Sequence, residues 1–344
     1  MKTVLVTGAG GYIGSVLTPK LLQKGYHIKA IDRFFFGLEK LSSHVNLEII
    51  RDDSRRLTDD HFKDVDYVID LVALSNDPAS EMFSDATWEI NYQSRVNNAK
   101  RAKKMGVKRY ILPSSCSIYG FTEDIVDETS RTNPLSTYSK ANKKAEQGVL
   151  PLADDNFAVI VMRQATVFGF SPRMRFDLAI NGMTYGAWKT HKLPLMRDGS
   201  QYRPMVHVQD TTDVMLLLLE HDSDMISGQI FNVGSEQCNY QIRSLAGIVS
   251  DVVSRMTNSK VDIEWYGDPD HRSYRVNFSK IEKTLNWQAK YSGENGVVEI
   301  VEALKNGQTD KTSKTITLQW YNELVKWHKI IKSVEKYGGI FDIE

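Results

Sequence analysis

The chain begins with an apolar run, Val4-Leu5-Val6, that turns through Thr7-Gly8-Ala9-Gly10-Gly11-Tyr12-Ile13-Gly14 into a helical pattern. Few folds accept a strand that exits into a helix over so many glycines. Gly8 permits a tight exit turn, Gly11 lets a bound diphosphate approach the backbone, and Gly14 allows close helix packing. The free N–H groups of the helix start then favour an anion. The spacing G-x-x-G-x-x-G is one residue longer than the simplest dinucleotide fingerprint. The next apolar run, His27–Ile31, leads to Asp32, about 20 residues beyond the loop, where a carboxylate can accept both hydroxyls of an adenosine ribose. A dinucleotide site at the start of an α/β fold is the expectation.

The rest of the first half supports it. Candidate strands at Thr3–Thr7, His27–Ile31, Leu47–Ile50, Asp66–Leu71, Lys108–Leu112 and Phe157–Met162 alternate with helical patterns, notably Asp85–Met105 and Thr137–Leu150. This alternation predicts a Rossmann-like, doubly wound parallel sheet with helices on both faces, followed by a smaller C-terminal substrate-binding lobe. We place the dinucleotide-binding domain at 1–167 and 203–235, the smaller lobe at 168–202 and 236–313, and a helical tail at 314–344. Arg203–Asp210 and Ile230–Gly234 are read as chain returning to the sheet. In the tail, Leu318, Tyr321, Leu324, Val325, His328 and Ile331 recur at helical spacing and predict a docked amphipathic helix with no further role.

With 43 basic and 43 acidic residues in 344, no global field recruits nucleic acid or an anionic membrane. An anionic ligand must be held by individually placed arginines. Two cysteines, Cys116 and Cys238, offer neither a disulfide framework nor metal-ligand spacing. The first residues enter a strand directly and no apolar stretch is long enough to span a bilayer, so a cytoplasmic protein without a metal is expected.

Three further segments carry chemistry. One strand ends in Pro113-Ser114-Ser115-Cys116-Ser117-Ile118-Tyr119-Gly120, and a helix opens with Ser136-Thr137-Tyr138-Ser139-Lys140. Arg203-Pro204-Met205-Val206-His207-Val208-Gln209-Asp210 follows in the second half. With Asn232-Val233-Gly234-Ser235 and Asp270-His271-Arg272, these motifs resemble the extended short-chain dehydrogenase/reductase family, the NAD-dependent nucleotide-sugar epimerases and dehydratases, from Met1 to about Trp287.

The resemblance implies NAD as cofactor, a nucleotide-sugar substrate and a homodimer built from the helices at Asp85–Met105 and Thr137–Leu150. It assigns Gly8, Gly11, Tyr12, Ile13 and Gly14 to the diphosphate loop, Asp32 to the ribose, Asp53 and Ser54 to adenine, and Leu71 and Ala73 to the floor beneath the cofactor. Arg33, beside Asp32, is the residue that could accommodate a 2′-phosphate. Ser115 matches the catalytic hydroxyl and Tyr138 the catalytic base, which also touches the cofactor; Ser117, Arg203 and Arg272 match substrate contacts. The stretch Arg163–Asp177 is similar to a subgroup acting on nucleotide-activated hexoses and heptoses in bacterial surface-polysaccharide pathways, some oxidising carbon 4. Arg173 and Arg175 are then phosphate or sugar contacts, or else a solvated basic loop.

Two departures narrow the expectation. The family's tyrosine is followed four residues later by a lysine that lowers the phenol's pKa; here the position is Asn142. Lys140 and Lys143 lie on other faces of the helix and do not replace it. The 4,6-dehydratases carry an Asp-Glu pair where this chain has Cys116 and Ser117, so dehydration is disfavoured and Cys116 is read as a packed thiol. His207 is read as a structural hydrogen-bonder. The expected activity is oxidoreduction or epimerisation at carbon 4 of a nucleotide sugar. The alternative is an NAD(H)-binding sensor or scaffold that lost turnover with its lysine.

Overall fold

The computed structural model describes residues 1–39, 41–196, 198–267 and 273–334. Its strands in chain order are β1 (Thr3–Thr7), β2 (His27–Asp32), β3 (Leu47–Arg51), β4 (Tyr67–Asp70), β5 (Arg109–Ser115), β6 (Ile125–Val126) and β7 (Ala158–Gln164). They continue as β8 (Thr166–Phe168), β9 (Lys192–Met196), β10 (Tyr202–His207), β11 (Gln229–Val233), β12 (Asn239–Gln241), β13 (Asp262–Tyr266) and β14 (Arg275–Val276). Helices are α1 (Gly14–Gln23), α2 (Asp77–Met82), α3 (Ser84–Trp88), α4 (Arg95–Lys104), α5 (Thr137–Val149) and α6 (Ala179–Thr190). Then follow α7 (Val208–Glu220), α8 (Ser223–Ile226), α9 (Ile242–Thr257), α10 (Ser279–Leu285), α11 (Gly293–Lys305) and α12 (Thr317–Val334).

A seven-stranded sheet in the order β11-β7-β5-β4-β1-β2-β3 forms the frame, and every pairing in it is parallel. Strands such as Val4-Leu5-Val6 and Ala158–Met162 are buried on both faces, which is why they read as continuous apolar runs instead of alternating ones. One face packs Val4, Val6 and Ile160 with Leu17, Val214 and Leu218; the other packs Leu5, Val68 and Val159 with Ala99, Ala102 and Ala145. A separate core, with Ile180, Leu193, Leu245, Val249, Val297 and Val301, joins α6, α9 and α11 in the second lobe. The strand order reverses between β1 and β4, and a ligand crevice opens beyond their carboxyl ends.

Two expectations need correction. Arg203–Asp210 does not return to the main sheet: β10 pairs with β8 and β12 in a three-stranded sheet, and from Val208 onward the chain is the helix α7. A short run of alternate polarity does not say which sheet takes the strand. Ile230–Gly234 does return, as β11 beside β7. The predicted helix at Asp85–Met105 is interrupted: α3 passes through a π-helical turn, Glu89–Ser94, before α4. The wider turn carries one extra residue and rotates the following face, as π turns near functional sites often do.

Candidate active site

The glycine loop sits at the crevice. Gly8 has φ +67°, and a Cβ there would lie 2.9 Å from the Val72 nitrogen, so only glycine fits between β1 and the chain leaving β4. At Gly14 a Cβ would meet Gly8 O at 2.4 Å, so this glycine packs against the loop's own backbone. Gly8, Gly11, Tyr12, Ile13 and Gly14 line a cleft of about 340 Å³ together with Asp32, Arg33, Asp53, Ser54, Leu71 and Ala73. All eleven cofactor residues read from the sequence in this region therefore share one cleft wall.

Their side chains divide the work. The Asp32 carboxylate accepts from Gly10 N–H at 3.0 Å and Phe34 N–H at 2.7 Å, which shape the turn, and burial pushes its carboxyl up against these bonds. Tyr12 contributes to the loop through its backbone. Its phenol donates to Gly169 O at 2.5 Å and accepts from Asn181 at 3.1 Å, tethering the loop to the second lobe. Arg33 and Arg55 both bind Asp53, at 3.0 and 2.7 Å, and the Arg55 guanidinium holds the Asp53 carboxyl down at about 2.

Arg173 and Arg175 are no solvated loop: they are 4% and 6% exposed and line the same cleft. Arg175 grips Asp177 with two bonds of 3.0 Å and reaches Ser75 Oγ at 3.1 Å. Burial pushes Asp177 up, but Arg175 outweighs it and brings the carboxyl to about 2. Arg173 lies 3.6 Å from the centroid of the Phe36 ring and donates to Thr317 Oγ1 at 3.2 Å, while its Nε and Nη1 are buried without a hydrogen-bond partner. Burial, then the charge of Arg175, disfavours its charged form, and an arginine does not shed its proton. An anion in the cleft would satisfy those donors. This orphaned pair, the glycine loop and Asp32 together fit a dinucleotide diphosphate and its ribose.

The tail helix reaches the cleft as well. Tyr321, Leu324 and Val325 of α12 line it, Tyr321 packs among Phe35, Phe36 and Phe83, and Trp320 Nε1 donates to Phe35 O at 2.7 Å. The helical spacing in the tail predicted a docked helix, but no local signal named what it docks on.

Ser115 closes β5 and Tyr138 opens α5, and the serine hydroxyl faces the phenol and favours its ionised form. Ser115 Oγ also donates to Ser117 Oγ at 2.9 Å and accepts from Ser117 N–H at 3.1 Å. Burial pushes the Tyr138 phenol up, and Arg95 is the largest influence pulling it down. α5 is fixed beneath this pair by buried Glu146, which accepts from Ser114 Oγ at 2.6 Å and from Arg163 at 2.9 Å. Asn142, like Ser115 and Tyr138, is not among the residues that line the cleft. It is 1% exposed, accepts from Arg95 Nη1 at 2.9 Å through Oδ1 and donates to Tyr138 O at 3.0 Å through Nδ2. Arg95 lies 47 residues away, so no sequence spacing pointed to it.

On the far side, Arg203 stands 5.9 Å from the ring of buried Tyr274, which neighbours Tyr138. Arg272 lies outside the described residues. His207 is fully buried, bonded to Glu299 at 2.6 Å and stacked on Tyr291, so it is structural. Cys116 is a packed thiol 3.1 Å from Arg163 O, its pKa raised by burial, and it supplies no acid for dehydration. Among the described residues no group of His, Cys, Asp and Glu could hold a metal, and no helix is long and apolar enough to cross a membrane.

Glycine loop, ribose acid and the Ser115–Tyr138 pair on one doubly wound sheet agree with a family match across residues 4–234. The chain belongs to the NAD-dependent epimerase/dehydratase family. Enzymes of this family work on nucleotide sugars with NAD. A UDP-glucuronic acid decarboxylase of Arabidopsis thaliana is 27% identical over 316 residues, 88% of this chain and 70% of that protein. The UDP-glucuronic acid 4-epimerase of Bacillus cereus, solved with UDP-glucuronic acid and NAD, superposes with TM-score 0.78 at 22% identity, covering 88% of this chain and 99% of that one. The UDP-N-acetylglucosamine 4-epimerase of Methanobrevibacter ruminantium M1 gives 0.78 at 23% identity, with 88% and 98% covered.

Proposed function

We propose that this chain oxidises carbon 4 of a nucleotide-activated sugar, with epimerisation or net 4-oxidation as the outcome. The observation that carries the reading is that Ser115, at the end of β5, faces the Tyr138 phenol at the start of α5. Bound NAD supplies the hydride acceptor. The ionised Tyr138 takes the 4-hydroxyl proton, and Ser115 holds the oxygen as it becomes a carbonyl. Arg173 faces the cofactor's diphosphate and Asp32 its ribose, with NAD favoured over NADP because Asp32 repels a 2′-phosphate. Arg203, on β10, binds the substrate's phosphates, facing the lobe proposed at 168–202 and 236–313; Arg272 is assigned the same task from the sequence alone. Decarboxylation is a further outcome when the sugar is a hexuronate, because a 4-keto group makes the carboxylate a β-keto acid. The cellular setting we favour is bacterial surface-polysaccharide synthesis, in a cytoplasmic homodimer.

A panel of UDP-, dTDP-, GDP- and CDP-sugars, hexuronates included, tests this by nicotinamide absorbance and product NMR. Tyr138→Phe is expected to abolish hydride transfer and spare NAD binding. Arg203→Ala is expected to weaken sugar-nucleotide binding by roughly 1.5–3 kcal/mol, the range for a hydrogen bond to a charged group. If no sugar exchanges hydride and Arg203→Ala changes nothing, the protein is an NAD(H)-binding sensor or scaffold.

A further inference from the structure

The Tyr138 phenol must lose its proton without a lysine one turn away, so the question is which charge stabilises the phenolate. Arg95 is 2% exposed at the start of α4, just after the π-helical turn. Its Nε and Nη2 donate to Val72 O at 3.1 and 2.8 Å, and its Nη1 donates to Pro113 O at 3.1 Å and Asn142 Oδ1 at 2.9 Å. Every acceptor is neutral. Among the described residues, Arg95 makes no ion pair.

A buried guanidinium surrounded only by carbonyl oxygens keeps its field, because no carboxylate cancels it and little water screens it. Val72 lines the cofactor cleft, and Pro113 lies two residues before Ser115 on β5. Asn142 stands one helical turn after Tyr138 and is bonded to the tyrosine's own carbonyl. The asparagine therefore clamps the guanidinium in the place where a lysine would have stood. An amide is suited to this, whereas an ammonium there would meet Arg95 head-on.

We propose that Arg95, positioned by Asn142, is the fixed cation that stabilises the Tyr138 phenolate. The pair divides between two side chains the electrostatic task that one lysine performs in the resembled family. The inference rests on Tyr138 being the base. The other groups facing the phenol are Ser115 from β5, Asp77 from α2, Arg175 from the loop after β8, and Tyr274 before β14. Asp77 opposes ionisation and Arg175 assists it less than Arg95. Removing Arg95 leaves burial and Asp77 dominant. The phenol then keeps its proton to higher pH, and the active phenolate appears later as pH rises.

The test follows Tyr138 directly by NMR of tyrosine isotopically labelled at Cζ, its resonance assigned by its loss in Tyr138→Phe. The titration is run on full-length protein with and without saturating NAD. Arg95→Met should move the ionisation upward by about one pH unit or more, while Arg95→Lys should recover most of the shift. Asn142→Ala, which releases the guanidinium without removing it, should give a smaller upward shift and serves if Arg95→Met does not fold. Asn142→Lys should be tolerated far better beside Arg95→Met than alone. An unchanged Tyr138 titration in folded Arg95→Met, or in Asn142→Ala where that variant is the readable one, overturns the proposal. The base assignment fails separately, when Tyr138→Phe retains hydride transfer whatever the titrations give.

Discussion

Asp32 holds its turn with the same two oxygens that the proposed ribose contact would use. Its bond to the Phe34 N–H holds a non-glycine residue at φ +53°, a conformation that costs roughly 1–2 kcal/mol. A hydrogen bond to a charged group contributes about 1.5–3 kcal/mol, enough to keep that turn in place. Asp32→Ala should thus loosen the turn as well as the ribose, weakening NAD at least about tenfold and narrowing the NAD/NADP gap. Calorimetric titration of both cofactors checks it; equal affinity in the parent protein would sink the assignment. Arg33 is a weak candidate for a 2′-phosphate, because Asp53 and the face of Phe35 already engage its guanidinium. Asp32 was legible because chain distance from the glycine loop places it. Arg173 was legible only as one of two options, and burial removes the solvated loop.

At the scale of elements, α12 is the part whose role changed most between sequence and structure. Its apolar spacing marks a helix with one sticky face, and any apolar surface would satisfy that pattern. The tertiary structure puts Tyr321 against three phenylalanines at the mouth of the cofactor cleft and ties Trp320 to the backbone of Phe35. Ending the chain after Ile316 should weaken NAD by about tenfold, roughly 1.4 kcal/mol, and expose the cleft aromatics to a fluorescent apolar dye. Tyr321→Ala should reproduce most of the loss in a full-length chain. Unchanged NAD affinity in both would return α12 to a purely structural role. The π-helical turn is the other unpredicted element. Its Asn91 exchanges two bonds of 2.9 Å with Leu74, anchoring the helix start just before Arg95.

For the whole molecule, the proposed homodimer would bring together two copies of the α3–α4 and α5 surface. Trp88, Tyr92 and Val96 form a partly exposed stripe there, but Lys100, Lys140 and Lys144 are exposed around it. A twofold interface would set these lysines near their copies, so repulsion opposes an apolar contact. Salt screens charges beyond about 10 Å at 0.1 M, so dimerisation should tighten as ionic strength rises. Sedimentation across a salt series measures this, and Tyr92→Glu should leave monomers. Dissociation on adding salt would place the interface elsewhere.

What the sequence by itself determined lies along single elements: the parallel sheet, the glycine loop, Asp32, and the Ser115 and Tyr138 that end a strand and begin a helix. These are readable because strand burial, turn conformation and helix phase act over a few neighbouring residues. Only the tertiary structure decided which sheet took β10, what α12 covers, and that Arg173 lies buried beside the cleft with two donors unpartnered. It also decided that Arg95 meets Asn142 across 47 residues of chain. Such contacts depend on how separate elements pack, and a buried charge on α4 leaves no mark in the spacing of α5.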